Sequence, residues 1–194
     1  MAMKTQTLAA TVWPRLEGSL ARQLALALIG TALLWASAKV QVPFWPVPMT
    51  MQTFVVLSLG AAYGSRLGTA TVALYLLEGA LGLPVFAGTP ERGIGLAYMA
   101  GPTGGYLAGF VAAAWLVGML AERGWDRSVL LLGAAMLLGH IIIFACGFSW
   151  LATFMGAEKA WLTGVAPFHA GTALKTVLAA LLIWATRLTI ANRR

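Results

Sequence analysis

The chain of 194 residues carries a formal net charge of +7, yet only 10% of its residues are charged and 60% are hydrophobic. Its mean hydropathy is +0.82. Soluble domains carry roughly 25% charged residues, so this composition excludes an ordinary water-soluble fold. The basic residues stand singly between apolar runs, which argues against a nucleic-acid-binding patch. We therefore expect an all-α integral membrane protein in which residues 1–194 form a single membrane domain.

Six apolar runs follow one another, and a helix that crosses the bilayer needs about 20 such residues. The predicted membrane helices cover residues of about 20–40, 50–64, 67–83, 102–121, 129–155 and 168–190. The second run is short, so its helix would begin inside the preceding loop, lie tilted or be shielded by neighbours. Pro43, Pro46 and Pro48 prevent that loop from being helical throughout. Pro102 suits the first turn of the fourth helix.

Lysines and arginines are distributed unevenly between the two predicted sides of the membrane. One side would hold Lys4, Arg15, Arg22, Arg66, Arg123, Arg127, Arg187, Arg193 and Arg194, and the other Lys39, Arg92 and Lys159. Cytoplasmic loops are enriched in basic residues. The pattern therefore predicts that both termini are cytoplasmic and that the two long loops, 42–49 and 84–100, face outward.

Small residues recur at intervals of four, which places them on one face of a helix. These stripes are Gly60, Gly64 and Gly68; Gly101, Gly105 and Gly109; Ala21 and Ala25; and Ala32 and Ala36. Small residues let backbones approach closely inside lipid. We expect most of them to pack within this chain, while one stripe could face a separate membrane subunit. The alanines of the first helix are the best candidates for such partner docking.

Lys175 lies about eight residues into the last apolar run, where a charge costs roughly 2.5 to 3.5 kcal/mol. Its stem could snorkel to the outer interface, or its ammonium could face a polar or anionic ligand in an outward-facing cavity. Thr172 lies one helical turn before it on the same face. Gln52 is another polar residue at membrane depth and offers both donor and acceptor groups, either to a ligand or to a neighbouring helix.

The segment GPTGGY begins the fourth predicted helix and includes Gly101, Gly104, Gly105 and Tyr106. A helix N-terminus exposes unpaired N–H groups and suits a carboxylate, although the same glycines could serve packing. Arg92 in the preceding loop could close over an anion or pair with Glu91. Three aromatic residues of the outer side could wall a pocket for an apolar ring: Trp35, Trp45 and Tyr106.

The sequence shows no recognisable set of catalytic residues. Glu78 is the one acid within an apolar run, and no paired carboxylates, metal-ligand cluster or Ser/His/Asp set occurs. The phosphate-binding glycine loop is missing as well, since Lys175 and Thr176 lack the preceding glycine. We therefore predict that the chain is not an enzyme, holds no cofactor and does not hydrolyse ATP by that route.

Four segments of the chain resemble the BioY family of biotin transporters. They are VPMTMQTF (47–54), LGLPVFAG (81–88), GPTGGYLAGF (101–110) and PFHAGTALK (167–175). BioY proteins serve as substrate-binding S components of energy-coupling factor (ECF) transporters. The resemblance implies six helices in the bacterial cytoplasmic membrane, with biotin near the outer surface under the loops after the first and third helices. It also implies a coupling membrane subunit and two ABC-type ATPases as partners, docked through small-residue stripes, although some members look able to work alone.

The resemblance also singles out site residues, and two of the family's positions differ here. Gln52, Tyr106 and Lys175 match the family pattern directly. The acid that precedes the lysine by three residues in the family is Thr172 here, and the basic residue after the tyrosine is Leu107, so carboxylate recognition could shift to Arg92 or Lys175. Two alternatives stay open: an S component for another small vitamin, and a small membrane enzyme acting on lipid.

Overall fold

The computed structural model of the chain describes residues 7–13, 18–42 and 45–191, and these are mostly helical. The helices are α1 (Leu8–Val12), α2 (Leu20–Lys39), α3 (Gln52–Ala80), α4 (Gly95–Met99), α5 (Gly104–Glu122), α6 (Val129–Met155), α7 (Ala157–Gly164) and α8 (His169–Ala191). Short 3₁₀ turns precede α6 and α8. Two strands, β1 (Gln41–Val42) and β2 (Met49–Thr50), form an antiparallel hairpin. The all-α prediction is thus confirmed for the described residues.

Four stretches within the described residues are long and apolar enough to cross a membrane. They are Leu20–Lys39, Gly104–Glu122, Val129–Met155 and Ala157–Ile190, the last combining α7 and α8. The chain is therefore a multi-pass membrane protein by helix length and composition. The count of six crossings and the cytoplasmic location of both termini stay predictions.

The predicted helices 50–64 and 67–83 both fall within α3, whose backbone leaves the helical conformation at Gly64. Gly64 has φ +84°, which a side chain would disfavour. The amide of Gln52 lies 2.8 Å from the hydroxyl of Tyr75, whereas the 23 intervening steps of a straight helix would cover roughly 35 Å. The chain therefore reverses at Gly64, and α3 is a hairpin of two packed halves.

Glycines allow α3, α5 and α6 to approach one another at backbone distance. A Cβ added at Gly60 would lie 2.7 Å from a carbonyl oxygen of α5, and one at Gly118 would lie 2.5 Å from the backbone of Gly64. A Cβ at Gly109 would lie 2.9 Å from an α carbon of α6, and one at Gly105 would overlap the same helix. The interpretation that these two glycine stripes serve packing within the chain is confirmed.

Two carboxylates fix the end of the bundle at which the α3 hairpin turns. Glu122 accepts hydrogen bonds from the backbone N–H (2.7 Å) and hydroxyl (2.8 Å) of Ser65, so a negative charge lies at the start of the second half of α3. Asp126, which is buried, pairs with Arg187 of α8. Burial raises the pKa of the Asp126 carboxyl, and Arg187 opposes that rise. These contacts tie α3, α5 and α8 together.

The start of α5 differs from the sequence prediction. Pro102 was expected in the first turn, but α5 begins at Gly104. The N–H of Gly104 donates to the carbonyl of Gly101 at 3.0 Å, which closes a separate turn around Pro102 before the helix begins. The proline loop also contains a feature that the sequence did not reveal, since its two ends pair as the β1–β2 hairpin.

Candidate ligand-binding cavity

A cavity lies at the end of the bundle opposite the α3 turn, beneath the β hairpin and the loop between α3 and α4. About 560 Å³ of space lies between the lining residues, a volume that includes open solvent at the mouth of the cavity. Its lining consists of Val47, Pro48, Thr50, Gln52, Thr53, Ala87, Tyr98, Thr103, Tyr106, Leu107, Phe110, Ile143, Phe144, Phe168 and Lys175. The walls are thus apolar and aromatic, with a few polar groups.

Gln52, the first residue of α3, is held by hydrogen bonds on both atoms of its amide. The side-chain oxygen accepts from the Thr50 hydroxyl at 3.3 Å, and the nitrogen donates to the Tyr75 hydroxyl at 2.8 Å. Tyr75 in turn donates to the carbonyl of Val85 at 2.8 Å. An amide has two N–H groups and two acceptor lone pairs, so Gln52 retains one of each for a ligand.

Lys175 is 7% exposed and extends from α8 into the cavity wall. Its ammonium donates to the carbonyl of Thr50 at 3.0 Å. An ammonium has three N–H groups, so two are left for a bound molecule. The structure thus favours the interpretation in which Lys175 faces a cavity. Its ammonium, although it belongs to an apolar helix, has a polar partner in the Thr50 carbonyl of the β hairpin.

Tyr106 presents its ring to the cavity, while its hydroxyl points away and donates to the carbonyl of Gly164 at 2.8 Å. Gly147 and Gly164 make room for this residue, because a Cβ at either position would overlap the tyrosine. Phe144 meets the Tyr106 ring edge to face at a centroid distance of 6.5 Å. Tyr106 therefore contributes an aromatic wall rather than a hydroxyl to the site.

The loop between α3 and α4 closes one side of the cavity and is held by three residues that the sequence analysis did not single out as site residues: Phe86 of the loop itself, Tyr98 of α4 and Lys39 of α2. Phe86 is 1% exposed and lies between two tyrosine rings, meeting Tyr75 edge to face and stacking on Tyr98. Tyr98 donates to the carbonyl of Ala87 at 2.8 Å. The ammonium of Lys39 contacts four oxygens of the same loop. The motif LGLPVFAG was the one sequence signal that pointed to this loop.

The other candidate site residues do not line the cavity. Trp35 is 48% exposed on α2, and Thr172 is half-buried on α8, one turn before Lys175. The side chain of Arg92 lies against Gly88 and donates to the carbonyl of Pro46 at 3.4 Å, so it links the loop that follows α3 to the proline loop that follows α2.

Three glycines of the GPTGGY segment also lie outside the lining. Gly101 accepts a hydrogen bond from the indole of Trp150, and a Cβ at Gly104 or Gly105 would overlap neighbouring residues. These glycines let the start of α5 pack closely. The segment contributes Thr103 and Tyr106 to the cavity instead, and Leu107, which follows it, lines the cavity as well.

The alanines predicted for partner docking lie together on one side of α2. Ala21, Ala32 and Ala36 are exposed and Ala25 is half-buried. The buried residues of α2, which include Leu34 and Ala38, lie on the opposite side of the helix. The alanine face, Ala21, Ala25, Ala32 and Ala36, thus points away from the bundle.

A bundle of membrane-length helices that closes a small cavity beneath the loops at one end defines a multi-pass membrane protein that accommodates a small molecule. A sequence model of the BioY family matches residues 3–192. The chain belongs to the BioY family, which confirms the resemblance seen in its motifs. The family is one of transporters, so the prediction that the chain is not an enzyme is confirmed as well.

Individual relatives cover most of the chain. The probable biotin transporter BioY of Pyrococcus horikoshii is 36% identical over 162 residues, which are 84% of this chain and 94% of the relative. The biotin transporter BioY of Thermotoga maritima is 41% identical over 162 residues, covering 83% and 93%. A crystal structure of the S-component for biotin from an ECF-type ABC transporter superposes with a TM-score of 0.76 at 24% identity, covering 86% of this chain and 91% of that one. At this identity the superposition shows the shared fold.

Proposed function

We propose that the chain binds biotin in this cavity and takes it up across the membrane as the substrate-binding component of an ECF-type transporter. The observation that carries the proposal is that Lys175 and Gln52 both line a cavity whose other walls are mainly apolar and aromatic. Biotin combines a carboxylate and a cyclic urea with one apolar, sulfur-containing ring and an alkyl chain. Membership of the BioY family supports the same substrate.

The free groups of the cavity suit both polar parts of biotin. The two N–H groups that Lys175 retains can donate to a carboxylate or a urea oxygen, and the remaining N–H and lone pair of Gln52 match the donor and acceptor of a cyclic urea. Phe144, Phe168 and Tyr106 offer apolar surface for the rings. Lys175 can therefore supply the carboxylate recognition that the family's basic residue after the tyrosine, which is Leu107 here, no longer provides.

Lys175→Met tests this assignment. A hydrogen bond to a charged group contributes about 1.5–3 kcal/mol, so the affinity of the purified protein for labelled biotin should fall about tenfold or more. Lys159→Met is the matched control, because Lys159 is exposed on α7 and lies outside the cavity lining. Equal affinities of wild type and Lys175→Met would remove the lysine from the site. If an unrelated vitamin displaces labelled biotin at a lower concentration than unlabelled biotin does, that vitamin, and not biotin, is the substrate.

The partner and membrane assignments belong to the same proposal. We infer that the alanine face of α2 docks a coupling membrane subunit that works with ABC-type ATPases in the bacterial cytoplasmic membrane, with both termini inside. Ala32→Leu should reduce co-purification of the coupling subunit, whereas Ala173→Leu on the exposed side of α8 should leave it unchanged. Uptake of labelled biotin by cells with and without the coupling subunit and ATPases decides whether the chain works alone.

A further inference from the structure

The end of α2 is tied to the cavity-closing loop, residues 84–94, by a single side chain. The ammonium of Lys39 lies 3.0 Å from the carbonyl oxygen of Pro84, 3.3 Å from that of Phe86, and 3.2 Å from both the carbonyl and the hydroxyl oxygen of Thr89. Three N–H groups thus serve four oxygens, and hydrogen bonds from an ammonium are stronger than neutral ones. Lys39 gathers the first six residues of the loop around one charge.

The part of the loop that Lys39 holds is also the part that completes the cavity. Ala87 belongs to the lining. The carbonyl of Val85 accepts the hydrogen bond from Tyr75, whose hydroxyl orients Gln52. Displacement of residues 84–89 would therefore open one wall and release the orientation of a polar group that faces the ligand.

Lys39 is suited to a positioning role because its removal need not cost much folding energy. The side chain is exposed, and the carbonyl of Phe86 keeps a second donor after its removal, because the Thr89 hydroxyl lies 2.7 Å from it. Phe86, which is buried beneath Gly79 and between two tyrosine rings, anchors the loop independently. Loss of Lys39 would thus loosen the loop without unfolding the bundle.

We propose that Lys39 is a positioning residue that holds the loop closed over the cavity and slows the departure of the ligand. The statement about ligand release rests on the proposed function, whereas the statement about the loop does not. Lys39 touches no residue of the cavity lining through its ammonium; it acts through the backbone of residues 84–89. Its removal should therefore change the dissociation rate of the ligand, while the side chains that bind the ligand stay the same.

The test compares Lys39→Met with wild type and with Lys159→Met, which removes the same charge from an exposed position of α7. Release of labelled biotin from purified protein, chased with unlabelled biotin, should be about tenfold faster in Lys39→Met, the factor that corresponds to one charge-assisted hydrogen bond. Lys159→Met should match wild type. Lys39→Arg keeps the charge, but its planar donors do not converge on the four oxygens, so its rate should lie between the two.

A second measurement makes the loop itself visible without any ligand. Backbone hydrogen exchange of residues 85–92 should be faster in Lys39→Met than in wild type, with the exchange of α5 and α6 unchanged. Release within twofold of wild type, or faster release with unaltered loop exchange, would overturn the proposal. If wild type does not bind biotin, the proposed function fails, and the exchange measurement alone decides whether Lys39 holds the loop.

Discussion

Removal of the Tyr75 hydroxyl tests how the fold orients the polar group of the cavity. Tyr75 is fully buried, accepts from Gln52 and donates to Val85, both at 2.8 Å. Tyr75→Phe keeps the ring and its edge-to-face contact with Phe86 but leaves one buried donor and one buried acceptor unpaired. Each such group costs about 1–3 kcal/mol, so we expect a destabilisation of about 2–6 kcal/mol. Biotin affinity should fall about tenfold, because the Gln52 amide loses the partner that sets its orientation.

Tyr63→Phe is the matched control for this change. The Tyr63 hydroxyl donates to the carbonyl of Leu26 at 3.2 Å, and the residue is half-buried and lies outside the cavity lining. Its loss should lower the unfolding temperature slightly and leave biotin binding unchanged. The two measurements are thermal unfolding in detergent and equilibrium binding of labelled biotin. If Tyr75→Phe binds biotin within twofold of wild type, Tyr75 does not orient Gln52 for the ligand.

Two further changes examine the packing and the ion pair. Gly118→Ala should lower the unfolding temperature, because the new Cβ would lie 2.5 Å from the backbone of Gly64. In the control Gly133→Ala of α6, the new Cβ meets no atom within 4 Å, so the free energy of unfolding should rise by up to about 1 kcal/mol. Equal effects of the two changes would refute the close approach of α3 and α5. Arg187→Met should destabilise the protein by about 3–5 kcal/mol, since it leaves the buried Asp126 carboxylate without this partner. The double variant Arg187→Met, Asp126→Leu removes the carboxylate as well and should recover much of that loss in the same unfolding assay.

The helical fold was predictable because its signal is local. Apolar runs of membrane length predicted α2, α5, α6 and α8 close to their observed positions, and glycines four apart predicted close packing. The position of the turn within α3 was harder to predict from the sequence. The predicted helices 50–64 and 67–83 left residues 65–66 as the separation, whereas the backbone leaves the helical conformation at Gly64. The Glu122 carboxylate at the start of the second half of α3 comes from a position 57 residues away from Ser65.

The candidate site could be predicted where a residue's type was unusual for its surroundings. Lys175 and Gln52 stood out as polar residues in apolar runs, and both line the cavity. Lys39 did not stand out, because a lysine at the end of a membrane helix is ordinary and its acceptors are backbone oxygens 45 to 50 residues away. The glycines of GPTGGY fitted both packing and anion binding, and the sequence did not separate these alternatives.

The hydrogen bonds that hold the loop over the cavity have a consequence for sequence variation. Their acceptors are mainly main-chain carbonyls, at Pro84, Val85, Phe86, Ala87 and Thr89, and every amino acid, proline included, supplies a carbonyl. The donors, in contrast, are the side chains of Lys39, Tyr75 and Tyr98. Apart from the buried Phe86 and the hydrogen-bonding Thr89 and Arg92, loop side chains can therefore vary without loss of closure, while mutations of the three donors on the surrounding helices should be the ones that selection removes.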